Sequence, residues 1–179
     1  MTTWTKFASP IGELTVLANP AGVCGLYFPR RAPNLEARAR REQTAATAQL
    51  EQYFAGERRR FELDLDLAGM PLQRAVWARL QEIPFGSTTT YGELADSIDP
   101  ALFPGHLLPY QRVRAAAAAI GRTPTPILVP CHRVIGADGS LTGYGGGLQR
   151  KRFLLDLEGR VAAGLSAEPA PAHCQLSMM

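Results

Sequence analysis

The chain has 179 residues, of which 46% are apolar and 20% charged, enough to bury a core in one large domain or two small ones without structural staples. Seventeen Gly and fourteen Pro fall short of a low-complexity composition, and no apolar run approaches the roughly 18 residues that a membrane span needs. The net charge of +3 permits nucleic-acid binding without requiring it, and only Lys6 and Lys151 among the basic residues are lysine.

The N-terminus MTTWTKFASPIG has no basic stretch leading into an apolar core, so a cytoplasmic protein is expected. In that compartment Cys24, Cys131 and Cys174 are expected to be thiols.

Taken in chain order, residues 2–8, 12–18 and 22–28 alternate apolar and polar side chains between the turn-forming strings SPIG and NPAG, which predicts an antiparallel meander. Residues 34–55 are polar and alanine-containing and are expected to be a helix, with Leu50, Tyr53 and Phe54 at its buried end and Gly56 as its stop. FELDLDL at 61–67 alternates without a fault and reads as a half-buried strand.

Beyond AGMP (68–71) the period changes from two to near 3.6, which marks a domain boundary. Pro71 suits a first helical position, and Leu72, Val76, Leu80 and Ile83 form the stripe behind it. Thr90 and Glu93 fit a capping box opening a short helix through Ile98. Residues 99–110 are expected to be loop, and QRVRAAAAAI (111–120) a third helix ending at Gly121. The pair resembles a helix-turn-helix with a long connection. After a buried apolar run at 127–136, Asp138-Gly139 predicts a hairpin that would form the wing of a winged helix. Residues 148–158 are expected to be a helix capped by Gly159, and the tail from about Ala162 to fray. The domains then run 1–67 and 71–161, joined by a linker at 68–70, with a tail at 162–179.

Cys131 is the first candidate for chemistry. A thiol near its ordinary pKa is only a few per cent ionised at neutral pH, so it needs a base, and His132 adjoins it. In an extended segment neighbouring side chains point to opposite faces, so His132 would reach Cys131 across a turn or through one water. A bare Cys-His pair is otherwise a buried structural thiol beside a satisfied imidazole. Glu158 is a candidate to orient the imidazole; a solvated carboxylate is the plainer reading, yet one at a helix C-terminus is electrostatically unfavourable. A zinc site of Cys131, His132, His173 and Cys174 has suitable ligand types but poor spacing. Alanines 115–119 leave the third helix slim, so that Arg114 could insert between bases, or the alanines simply pack against a neighbouring helix.

Pro130-Cys131-His132-Arg133-Val134, followed by IGADGSLTGYGGG, resembles the O6-alkylguanine-DNA alkyltransferases. The likeness extends back through VWARLQEIPFGSTTTYGELA (76–95), forward to LLDLE (154–158), and in outline to SPIGELTVLA (9–18). It implies an α/β (α+β) fold, with an N-terminal ribonuclease-H-like sheet and helix and a C-terminal winged helix-turn-helix domain. It also implies direct-reversal DNA repair: a monomer, in some cases cooperative on DNA, binds duplex DNA through the minor groove and flips out an O6-alkylguanine. The alkyl group then moves irreversibly to Cys131, without metal or cofactor. His132 would act as base, Glu158 would orient it, and Tyr91 would donate to the departing guanine. Arg114, Ala115, Ala116 and Arg122 would meet DNA. Pro126, Val134, Tyr144 and Gly145 would form the base pocket, the Cys131 and Val134 carbonyls accepting from the exocyclic amine and the Gly145 N–H pointing at O6.

Three departures from the family pattern stand out: the apparent insertion at 99–110, Ala117 in place of a glycine, and Thr123 where an asparagine usually precedes the proline. The alternatives are an alkyltransferase-like protein that binds alkylated bases without repairing them, a winged-helix regulator, and a cysteine hydrolase using Cys131, His132 and Glu158.

Overall fold

The structure is a computed structural model that describes residues 1–35 and 38–167; the expected tail from 168 onward, with His173 and Cys174, lies outside the described residues. The chain divides into two compact units, residues 1–66 with 156 onward, and residues 67–155.

In the first unit β1 (Thr3–Ser9), β2 (Gly12–Asn19) and β3 (Gly22–Tyr27) form the expected antiparallel meander. A short β4 (Ala39–Arg40) pairs parallel to β1, so the sheet order is β3-β2-β1-β4. This corrects the helix expected over 34–55. Helix α1 is confined to Ala45–Phe54, because Thr44 caps it reciprocally with Thr47, while Arg41 N–H donates to the Trp4 carbonyl at 2.8 Å. A sheet edge in need of partners overrides helix propensity here. Leu14, Val16, Leu26, Leu50 and Tyr53 are buried, and Phe7 stacks on Phe54 at 6.1 Å.

The alternating segment 61–67 lies extended along β3 but pairs only through the Val23–Leu65 bridge. Val23 N–H donates to Asp64 at 2.8 Å and Asp66 N–H to Val23 at 3.0 Å. Gly22 sits at φ +139, and a Cβ there would come within 2.3 Å of the Asp64 carbonyl oxygen, so only glycine admits this close approach.

In the second unit α2 (Pro71–Glu82) and α4 (Pro109–Ile120) begin alike. Each has proline at its first position, where no N–H is missed. Each returns a glutamine oxygen to the N–H before that proline: Gln73 to Met70 and Gln111 to Leu108, both at 2.8 Å. Helix α4 therefore starts two residues earlier than its alanine run suggests, and residues 100–102 of the expected loop form a 3-10 turn behind which Phe103 is buried. Trp77 Nε1 donates to the Ala119 carbonyl at 3.0 Å, joining α2 to α4. Helix α3 (Tyr91–Asp96) has the expected Thr90–Glu93 capping box.

The expected wing hairpin does not form among the described residues. The Asp138-Gly139 turn is present, closed by Gly136 N–H to Ser140 O at 2.9 Å, but β6 (Val134–Ile135) pairs parallel with β5 (Thr89–Thr90) instead. Parallel pairing holds the chain just after Cys131 to the residues that lead into α3. Helix α5 (Leu148–Ala162) passes through Gly159 rather than stopping there, and the left-handed residue that follows it is Gly164, at φ +77. No described helix is long and apolar enough to cross a membrane.

Candidate active site around Cys131

Chain geometry before Cys131 is set by two unusual residues. Ile127, 1% exposed, has φ +77, a conformation that a β-branched residue adopts only under constraint, at a cost of about 1–3 kcal/mol. Pro130 follows at φ −80, ψ 59, and Cys131 N–H donates across it to the Val129 carbonyl at 2.8 Å. This is an inverse γ-turn, for which the pyrrolidine ring already fixes φ. Residues 131–133 then form a 3-10 turn, not the extended segment that the sequence suggests, so Cys131 and His132 are successive residues of a tight turn.

Both are buried, His132 completely. Arg133, third in the turn, donates to the Ile83 carbonyl at 2.6 Å and lies over the Phe85 ring at 5.7 Å, clamping the turn to the end of α2.

Burial pushes the Cys131 thiol up to about 12; against it act first the Thr123 hydroxyl, then the Lys151 charge and the N–H groups of Cys131 and His132. The resting sulfur is therefore a thiol. Lys151 is itself fully buried, with Nζ donating to the carbonyls of Val134 at 2.6 Å, Thr142 at 2.8 Å and Gly143 at 3.4 Å. Burial lowers its pKa and the Cys131 charge raises it. This residue was missed in the sequence. The available signal was that a chain rich in arginine, with Lys6 its only other lysine, keeps lysine here, where three convergent carbonyls need a compact, rotatable donor.

Tyr91 opens α3 with its ring 5.7 Å from Lys151 Nζ, and its hydroxyl donates to the carbonyls of Thr142 at 3.0 Å and Gly143 at 3.4 Å. Burial raises the phenol, Thr142 opposes this, and the Cys131 charge adds to it. Tyr91, Cys131, Val134 and the 142–143 strand of backbone are thus brought together around one ammonium group. Of the other expected pocket residues, Pro126 is buried, Tyr144 half-buried and Gly145 exposed.

Arg114 is exposed on α4, with Tyr110 and Ala118 on the same exposed stripe and Arg122 exposed just beyond the helix. Ala115 is half-buried, but Ala116 is fully buried. Its side chain packs inward, and Ala118 is the alanine on the outer face. Glu158 lies in the first unit, 1% exposed, and accepts from the Tyr53 hydroxyl at 2.7 Å. It stands a full turn inside α5, not at its C-terminus, so the expected conflict with the helix dipole is relieved. No group of three or more metal-ligating side chains occurs among the described residues.

Residues 71–160 match the DNA-binding domain of 6-O-methylguanine DNA methyltransferase, and residues 2–67 match its ribonuclease-like domain. The chain belongs to that family. A methylated-DNA–protein-cysteine methyltransferase of Mycolicibacterium paratuberculosis is 48% identical, the match covering 85% of this chain and 89% of that protein. One of Methanosarcina acetivorans is 41% identical over 86% and 96%. Among solved structures, the Mycobacterium tuberculosis OGT crystallised in complex with DNA superposes with a TM-score of 0.77 at 41% identity, covering 89% of this chain and 94% of that one. As a member of the 6-O-methylguanine DNA methyltransferases, the chain has a mixed α/β fold, a sheet domain followed by a helical DNA-binding domain, and the business of that family is DNA repair.

Proposed function

We propose that the protein repairs O6-alkylguanine in duplex DNA by moving the alkyl group to Cys131, once per molecule. The observation that supports this best is a thiol presented by a constrained turn, beside Tyr91 and Lys151, within the DNA-binding domain of a methyltransferase family. Exposed Arg114 and Arg122 and the slim alanine face of α4 suit a DNA minor groove, with Arg114 filling the stack from which the base is everted. Flipping costs a few kcal/mol, least for a poorly paired lesion, which aids selection.

In the reaction, His132 accepts the thiol proton, directly or through water, and the thiolate attacks the alkyl carbon. The C–S bond forms as the C–O6 bond breaks, and the electron pair of that bond stays with the guanine. Tyr91 donates towards a ring nitrogen as charge develops there and is reprotonated at the expense of the imidazolium, so the thiol proton ends on guanine. For this Tyr91 must release the Thr142 carbonyl, to which it donates at rest. Glu158, by its position in the family pattern, is assigned to orienting the imidazole. The Val134 carbonyl, one lone pair committed to Lys151, keeps the other for the exocyclic amine, and Pro126, Tyr144 and Gly145 are assigned to the pocket. A thioether has no easy return to thiol, so the reaction is stoichiometric. The protein acts as a monomer on DNA, in a reducing compartment such as the cytoplasm, which keeps the acceptor sulfur reduced.

Intact-mass measurement after mixing with duplex DNA carrying O6-methylguanine tests the proposal. A gain of one methylene per chain, absent in Cys131→Ala, is expected. Tight binding of the lesion with no mass change in the wild-type protein would mark a lesion sensor instead and overturn it.

A further inference from the structure

Helix α4 carries an aromatic side chain that the proposed reaction leaves unused. Its exposed stripe opens with Tyr110, 59% exposed, and runs on through Arg114 and Ala118 at the four-residue spacing that keeps side chains on one helical face. Helix α2 starts with the same proline and glutamine bonds, yet Leu72, in the place that Tyr110 takes in α4, is half-buried. The start of the helix therefore does not force a ring into solvent. The segment leading into α4 buries Phe103 but leaves Leu108, beside Pro109, exposed. Large apolar side chains exposed singly are ordinary, whereas two within three residues, at the head of an arginine-bearing stripe, form a contact surface.

Charge decides what covers it. Between Asp99 and Asp138 the chain has no Asp or Glu, while Arg112, Arg114 and Arg122 lie in α4 or just beyond it. Such a surface suits a polyanion, and it lies within residues 71–160, which match a DNA-binding domain. Four residues of helix at about 1.5 Å each put Tyr110 about 6 Å before Arg114 along α4, and bases on one strand are about 3.4 Å apart, so the ring falls about two base steps from the place that Arg114 fills.

We propose that Tyr110 is a second DNA contact, its ring packing on the deoxyribose edge of the minor groove about two base steps from the everted nucleotide, with Leu108 beside it. A phenol suits this wall, since the ring is apolar and the hydroxyl keeps a polar partner. Sugar contacts carry no sequence information, so this one adds affinity and register. Tyr110 closes the stretch 99–110, where the chain departs from the family pattern, and the contact gives that departure a use. The assignment rests on α4 lying in the minor groove, as proposed above, but not on the chemistry at Cys131.

The test follows binding of an undamaged duplex by fluorescence anisotropy over a range of salt concentrations, at a temperature where every variant is folded. Tyr110→Ser should bind about five- to thirtyfold more weakly, and Tyr110→Phe, which keeps the ring, within about twofold of wild type. The loss in Tyr110→Ser should be the same at every salt concentration, because a sugar contact releases no counterion, whereas Arg122→Ala should lower the slope against log salt by about one. Unchanged affinity in Tyr110→Ser, an equal loss in Tyr110→Phe, or a loss that vanishes at high salt overturns the contact. So does a DNA-free wild-type dimer that Tyr110→Ser dissociates, read by sedimentation, since a second copy would then cover the surface. Should wild type leave Cys131 unmethylated by an O6-methylguanine duplex while the affinities differ as described, the repair function falls and the contact stands.

Discussion

The sheet of the first unit and the turn around Cys131 satisfy buried backbone groups by opposite means. In the sheet, β1 and β2 pair residue by residue from Thr3–Ala18 to Ser9–Gly12, and the ladder needs no side chain to complete it. Around Cys131 the carbonyls of Val134 and Thr142 are met by the side chain of Lys151, and Ile127 accepts a left-handed backbone. A regular ladder is robust because its bonds are many and equivalent, whereas the site hangs on a few groups that cannot be exchanged. The comparison teaches where single substitutions should do damage: little on the ladder, much on the turn.

The largest contrast should be in reactivity. Cys24, on the sheet, is raised first by its burial and then by Asp66, with Arg38 opposing, but it is far less buried than Cys131, whose thiol lies at about 12. In DNA-free protein the rate of Cys131 with iodoacetamide should therefore keep rising about tenfold per pH unit beyond the point at which Cys24 levels off. Site-resolved labelling against pH would show it, and a Cys131 plateau at neutral pH would break the comparison.

Next in size is Lys151→Met, which takes the ammonium donor from the buried Val134 carbonyl and one of two donors from the Thr142 carbonyl. A loss of about 2–4 kcal/mol is expected by urea denaturation. Lys151→Arg should not recover it, although arginine serves nearly everywhere else in this chain, because a planar fork cannot point at three carbonyls gathered around one atom.

On the other side of the comparison, Tyr53→Phe removes the hydroxyl that donates to the Glu158 carboxylate within the first unit. About 1.5 kcal/mol should be lost, the upper end of what a single buried hydrogen bond contributes. Methyl transfer measured at a temperature where the variant is fully folded should also slow if that carboxylate orients the base, whereas an unchanged rate would confine Tyr53 to stability.

The smallest effect is a gain. Thr125 is fully buried and its hydroxyl has no hydrogen-bond partner among the described residues. Thr125→Val keeps its shape and removes the orphan group, and should stabilise the protein by about 1 kcal/mol, seen as a melting temperature a few degrees higher.

Much of the architecture was legible where neighbours along the chain decide it. The meander at 3–27, the capping box at Thr90–Glu93 and the proline start of α2 rest on period-two alternation, a local hydroxyl and a ring-locked φ. The start of α4 was equally local: Leu108-Pro109-Tyr110-Gln111 repeats the pattern of Met70-Pro71-Leu72-Gln73, and the alanine run drew attention away from it. The failures share a cause. Residues 39–40 became strand because the edge of β1 offered hydrogen bonds, and the segment after Gly139 formed no hairpin because β6 found β5. Neither partner is near in sequence. In the site, PCHRV marked the thiol proposed as nucleophile, but Lys151 was invisible, because its place depends on which carbonyls the folded chain gathers.

The sequence by itself determined the family, most helices and strands, and the thiol proposed as acceptor, since these follow from residue chemistry and from spacing of a few positions. Only the tertiary structure decided the electrostatics of that sulfur. Burial, one buried ammonium and one threonine hydroxyl set how readily it ionises, and each acts through space, over distances that separation along the chain does not encode.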